Sequence, residues 1–161
     1  MIVRSITIAS HYDGDVPTVM VDERAMFQVL LNLATNAVRY GRDGGSVTLT
    51  ARRLADGSAE VVVTDDGPGI AAADLPRVME PFHRIDNPST RHIQGTGLGL
   101  PIVKRLVELH TGTFTLESEP GKGTRAFVRL PASCVVTDGT GDGVMPPVST
   151  MPMPMRLPVA A

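Results

Sequence analysis

The chain has 161 residues, 42% of them hydrophobic and 20% charged, with a formal net charge of −2. That length suits one domain with a sizeable core, and the near-neutral balance gives no reason to expect nucleic acid or an anionic membrane as a partner. The single cysteine, Cys134, excludes an internal disulfide framework and fits a reducing compartment. No apolar run approaches the roughly 20 residues that span a bilayer. The N-terminal MIVRSITIAS is too polar for a secretory signal, so the expected location is cytoplasmic, or the cytoplasmic part of a membrane-bound protein.

In chain order, SITIA (Ser5 to Ala9) alternates like a strand, and TVMV (Thr18 to Val21) is a short second candidate. Asp22 stands at an N-cap position before a helical stretch that runs to about Tyr40. SVTLTARR (Ser46 to Arg53) and AEVVVTD (Ala59 to Asp65) flank Asp56-Gly57-Ser58 as a hairpin would. A short helix is expected over Ala71 to Met79 and another over Leu100 to His110. TFTLES (Thr113 to Ser118) and TRAFVRL (Thr124 to Leu130) then flank a second turn, Glu119 to Gly123. The expected fold is α/β, a two-layer α+β sandwich: a mixed, mostly antiparallel sheet of about five strands with three helices on one face. Residues 132–161 have no helical or strand period and are dense in Pro, Gly, Ser, Thr and Met, so they are expected to form a disordered tail. The domain proper is expected to be residues 1–131.

Three segments carry chemistry. In VLLNLATNAVRY (Val29 to Tyr40), Val29, Leu30, Leu33 and Ala37 form the apolar stripe. Asn32 and Asn36 stand one turn apart, and Arg39 follows on the same side. Asparagine is a poor helix former, so two in register beside a cation point to a site rather than to a solvated face. An amide oxygen suits Mg²⁺, and a guanidinium meets phosphate oxygens. VVVTDDGPGI (Val61 to Ile70) ends a strand in two aspartates and a Gly-Pro-Gly turn. A carboxylate there can accept from the exocyclic amine of adenine, while Gly67 and Gly69 leave room for a flat base; the plainer alternative is a tight turn. IQGTGLGLPIVKRL (Ile93 to Leu106) runs three glycines into a helix whose N-terminal amides favour an anion. Its spacing is neither Gly-x-Gly-x-x-Gly nor a phosphate loop ending in Gly-Lys-Ser/Thr.

These elements, in this order, resemble the ATP-binding catalytic domain of sensor histidine kinases. That domain is a branch of the superfamily that also holds DNA gyrase, the ninety-kilodalton heat-shock chaperones and mismatch-repair ATPases. NLATNAVRYG resembles the family's N box, DDGPGI its first glycine box, EPFHRID its F box, GTGLGL its second glycine box and GKGTRAFVRLP its closing hairpin, together spanning roughly residues 3 to 131. The resemblance implies ATP and Mg²⁺ as cofactors, held between the helical layer and a mobile lid. It implies Asn36 as the Mg²⁺ ligand, Asn32 assisting at the phosphates or metal, and Arg39 near the phosphates, so that Asn32, Asn36 and Arg39 carry the catalytic role. Tyr40 would pack by the adenine, Asp65 would read it, and Gly67, Gly69 and Ile70 would shape its pocket. Phe82 would sit at the root of the lid, Gly95, Thr96, Gly97, Leu98, Gly99 and Leu100 would face the phosphates, and Thr124 would place a hydroxyl near the adenine.

Within that superfamily the hydrolases place a water-activating Glu one turn before the metal-binding Asn. Here that position is Asn32, which cannot act as a base, so the resemblance favours phosphoryl transfer to a protein side chain over hydrolysis. In the lid, Arg84, Arg91 and His92 are candidates to meet phosphates, against the alternative of a solvated charged loop. Arg91, nearest the glycines, is preferred for the site, and His92 reads as a surface residue. None of His11, His83, His92 and His110 has the sequence context of the family's phosphoacceptor. The expected partners are therefore a histidine-containing dimerisation domain, upstream or in trans, and through it a response regulator of a two-component phosphorelay. The alternatives are a stand-alone serine kinase of the anti-sigma-factor type and a non-catalytic ATP-binding module.

Overall fold

A computed structural model describes residues 6–14, 16–85 and 95–136. Alternation in the apolar segments produces strands β1 (Thr7–Asp13), β2 (Ser46–Arg53), β3 (Ala59–Asp65), β4 (Thr113–Glu119) and β5 (Gly123–Leu130), joined in one sheet of order β1-β2-β3-β5-β4. β1 and β2 run parallel, which requires a crossover, and helix α1 (Glu23–Tyr40) supplies it; the other pairs are antiparallel. The mixed, mostly antiparallel sheet thus agrees with expectation.

Period two sends one set of side chains towards the helices. Val47, Val63, Phe114, Ala126 and Val128 pack there against Val29, Leu33 and Ala37 of α1 and Val103 and Val107 of helix α2 (Gly99–Leu109). Burying each such valine contributes about 1.5–3 kcal/mol. The opposite face is mostly polar around the Val62–Phe127 pair. Glu60 is buried there between Arg52 and Arg129, which both hydrogen-bond its carboxylate. Burial pushes the Glu60 carboxyl up, but the bonds from Arg129 and Arg52 outweigh it and hold the group below the ordinary glutamate range.

Helix α1 starts where the N-cap rule places it, with Asp22 Oδ1 accepting the Ala25 N–H at 2.9 Å. His110 joins the two helices. Its Nδ1–H donates to the Leu106 carbonyl (2.8 Å), and its Nε2 accepts the Asp22 N–H (3.1 Å).

Two expected elements are smaller than read. Residues 71–79 do not make a third α-helix. They form turns and a single 3-10 turn, Arg77–Met79. Pro76 has no N–H to return to Ala72, and a segment this short cannot offset helix nucleation without it. TVMV is no strand of the sheet: Val19 makes one isolated antiparallel bridge to Val135, flanked by Met20 N–H to Cys134 O and Val136 N–H to Thr18 O. Most of the expected lid, and most of the expected tail, residues 137–161, lie outside the described residues.

Candidate nucleotide-binding site

The 3.6-residue period of α1 puts its apolar stripe on the sheet and turns Asn32, Asn36, Arg39 and Tyr40 towards a cavity of about 350 Å³ between the helical layer and the loop at Gly95. Asn32 Oδ1 accepts from Gln28 Nε2 at 3.2 Å, whereas its Nδ2 is buried with no partner among the described residues. A buried amide donor without an acceptor costs stability unless a ligand supplies one. The Asn36 side chain lies against Gly99, where a Cβ would stand 3.5 Å from Asn36 Nδ2. The Arg39 guanidinium lies over Gly95, with Nη1 2.9 Å from the corresponding Cβ position.

At the far end of β3 the pleat separates the two aspartates. Asp65 faces the helices and lines the cavity; its Oδ1 accepts the Gly67 N–H at 2.9 Å. Burial pushes its carboxyl above the usual aspartate value, while hydrogen bonds from the Gly67 and Thr124 backbones pull the other way. Asp66 faces away. It accepts from Ser46 N (3.0 Å), Ser46 Oγ (3.1 Å) and Arg42 Nη2 (3.3 Å), and although burial pushes it up, these bonds hold it below the usual value. Asp66 therefore fastens the start of β2, and Asp65 is left to the cavity.

Gly69, Ile70, Gly95, Thr96, Gly97, Leu98, Gly99, Leu100 and Thr124 also line the cavity. Gly69 has φ +72°, and a Cβ there would run into the Glu119 carbonyl, so no other residue fits without displacing the β4–β5 turn. Gly97 has φ +71°, with the backbone of Phe82 2.9 Å from its Cβ position. Among the described residues no side chain caps the N-terminus of α2, which starts at Gly99, so its first amides face no side-chain acceptor there and suit an anion.

Two residues singled out in the sequence stand outside the cavity wall. Gly67 is buried behind it against the Tyr40 carbonyl. Phe82 is 74% exposed, with φ +64°, and meets Gly97 through its backbone, its N–H donating to Gly97 O at 3.1 Å. Arg84 lines the cavity, while Arg91 and His92 lie outside the described residues. His83 and Ile85 were not read as site residues although they border Arg84 in EPFHRID; Leu116, Val63 and Ala126, which line the cavity beside Thr124, follow from strand register and not from any motif.

A mixed sheet backed by helices, with a cavity between an asparagine-bearing helix, a strand-end aspartate and a glycine-rich helix start, defines a class of nucleotide-binding domain. The profile of the histidine kinase-, DNA gyrase B- and HSP90-like ATPases matches residues 21–133. The chain is 44% identical over 110 residues to the histidine protein kinase DivJ of Caulobacter vibrioides, covering 68% of this chain and 18% of that protein. It superposes on a mycobacterial sensor histidine kinase, MprB, with a TM-score of 0.67 and 30% identity over 78% of this chain and 81% of that one. It also superposes on full-length ShkA in complex with AMPPNP, with a TM-score of 0.69 and 34% identity over 84% of this chain and 27% of that one. The chain belongs to the histidine kinase-, DNA gyrase B- and HSP90-like ATPase family, on the histidine kinase branch of it. It spans between 14% and 31% of the length of the curated relatives it matches. Among the described residues no helix is long and apolar enough to cross a membrane.

Proposed function

We propose that the domain binds Mg-ATP in this cavity and passes the γ-phosphoryl group to a histidine on a dimerisation and phosphoacceptor domain, which in turn serves a response regulator. The observation that carries the reading is the convergence of the Asn32–Asn36 pair, Asp65 and the Gly95–Gly99 loop on one cavity of about 350 Å³. Family membership supports it, as does the AMPPNP held by the related ShkA.

In this reading Asp65 accepts the exocyclic amine of adenine, which requires its carboxylate form. Because burial raises its pKa, ATP affinity falls with acid sooner than an exposed aspartate would allow. The orphaned Nδ2 of Asn32 donates to a phosphate oxygen, which removes an unsatisfied buried donor. The residues present fit Mg²⁺: Asn36 offers an amide oxygen. Asn36 would hold the ion jointly with the nucleotide, since among the described residues no group of three His, Cys, Asp or Glu gathers to hold a metal alone. Mg²⁺ supplies charge neutralisation on the phosphates. Arg39 and Arg84 add positive charge at the cavity wall, and the open amides of α2 favour the same anion. Asp65 is the sole carboxylate among the described cavity residues, and it is committed to the base, which favours transfer over hydrolysis. His110 is unsuited as acceptor because both ring nitrogens are engaged. We take residues 1–131 as the catalytic domain and the rest as a tail whose start, Cys134 to Val136, holds Thr18 to Met20.

The test is incubation with γ-labelled ATP and a separately made dimerising histidine domain from the same genome. Acid-labile label on that domain is the expected result. Acid-stable label on a serine of a small regulator would favour the anti-sigma type of kinase, and bound ATP without transfer would leave an ATP-binding module.

A further inference from the structure

Asp65, Thr124 and Ser118 stand side by side on β3, β5 and β4: Asp65 pairs with Thr124, and Thr124 with Ser118. Asp65 and Thr124 line the cavity, and Ser118 lies one strand beyond it. Ser118 Oγ has three polar neighbours. It accepts the Ile70 N–H at 2.7 Å, and it lies 2.9 Å from the Gly123 carbonyl oxygen and 2.9 Å from Thr124 Oγ1.

A hydroxyl carries one proton and two acceptor lone pairs. The Gly123 carbonyl can only accept, so the Ser118 proton goes to it. Towards Thr124, Ser118 can then only accept, and the Thr124 proton is drawn to Ser118 and away from the cavity. What Thr124 turns to the cavity is lone pairs alone, beside the ionised carboxylate of Asp65. Two adjacent side chains thus present acceptors and no donor.

We propose that Ser118 is a positioning residue that sets base selectivity: by holding the proton of Thr124, it leaves a pair of acceptors that suits a 6-amino purine and rejects a 6-oxo purine. The inference rests on the Mg-ATP reading and adds to it a residue that does not line the cavity. A 6-oxo group facing Asp65 and Thr124 would meet lone pairs in place of a donor and lose the hydrogen bond it makes in water.

The experiment titrates the wild type, Ser118→Ala, Ser118→Thr, Thr124→Val and the Ser118→Ala/Thr124→Val pair with ATP and with ITP. Wild type is expected to prefer ATP by about 100-fold or more. In Ser118→Ala the Thr124 proton is free to turn to a 6-oxo group, so the preference falls about tenfold, chiefly through tighter ITP. Ser118→Thr keeps the hydroxyl and restores the preference. On the Thr124→Val background Ser118→Ala no longer changes it. A merely structural role would weaken both nucleotides together, and an unchanged ATP/ITP ratio in Ser118→Ala overturns the proposal. Should that variant not fold, Ser118→Cys, whose thiol is a weak acceptor, carries the same expectation. A wild type that binds neither nucleotide overturns the Mg-ATP reading and this inference with it.

Discussion

The loop from Asp65 to Ile70 is fastened to the far side of the sheet: the Pro68 carbonyl accepts the Gly121 N–H at 2.7 Å, the Ile70 N–H ends on Ser118, and Gly69 lies flat against Glu119. The second glycine-bearing loop, from Phe82 to Gly99, is closed at its base by its own ends, Phe82 N–H to Gly97 O at 3.1 Å, with Leu98 N–H to Thr96 Oγ1 at 3.4 Å. Among the described residues, Gly95 meets the tip of a long side chain, Arg39. Both loops use glycine for close approach, but one approaches backbone that belongs to the sheet and the other a group that can yield. A wall built like the first is suited to a rigid group, and one in which Gly95 meets the end of Arg39 to a group whose arrangement changes.

Substituting the glycines strikes at this contrast with the largest effect. Gly69→Ala forces a Cβ into the Glu119 carbonyl at φ +72° and is expected to cost on the order of 3 kcal/mol of stability, read by denaturant unfolding. Among the described residues Gly95→Ala displaces the flexible end of Arg39 and no backbone, so its stability is expected within about 0.5 kcal/mol of wild type. Equal losses would erase the distinction.

Asp65→Asn is expected to weaken ATP by about 100-fold in calorimetric titration. Its effect on stability runs the other way. Asp65 has a folded pKa raised above the unfolded one, so its contribution to stability is complete below the unfolded value and is lost as pH rises through the folded value. At neutral pH the ionised carboxylate is a liability, and Asp65→Asn is expected to melt no lower than wild type.

Asp66 supplies the opposite sign. Its folded pKa is depressed, so its contribution is present above the unfolded value and is lost as pH falls through the folded one. Asp66→Asn should lose about 1 kcal/mol at neutral pH and less in acid, with ATP affinity little changed. Two adjacent aspartates with opposite pH profiles would separate cavity from scaffold. A gain, not a loss, is expected outside both loops. Thr111, a β-branched residue at φ +57° after α2, is strained, and Thr111→Gly is expected to raise stability by about 1 kcal/mol without touching affinity.

Much of this architecture is legible in one dimension because local chemistry dictates it. Asp22 announces the start of α1, and Asp56-Gly57-Ser58 and Pro120-Gly121-Lys122 announce the hairpins. Where local pattern met a competing constraint it failed: Pro76 stops the helix that the alanines before it suggest, and TVMV pairs at one residue only. The parallel pairing of β1 with β2 depends on the path of α1 and leaves no mark on either strand. Asn36, Asp65 and the Gly95–Gly99 run were readable because each sits in a contiguous motif. Ser118, Leu116 and Ala126 come to the site through register between strands, which alternation orients but does not align.

In the proposed reading the cavity holds ATP through a metal at Asn36. It is tested most directly by measuring ATP affinity with Mg²⁺ and with a chelator, in wild type and in Asn36→Ala. The expected result is that removing Mg²⁺ weakens the wild type by about tenfold or more, while Asn36→Ala binds ATP equally weakly in both conditions. A wild type indifferent to Mg²⁺, or an Asn36→Ala variant that keeps the full metal response, would contradict it.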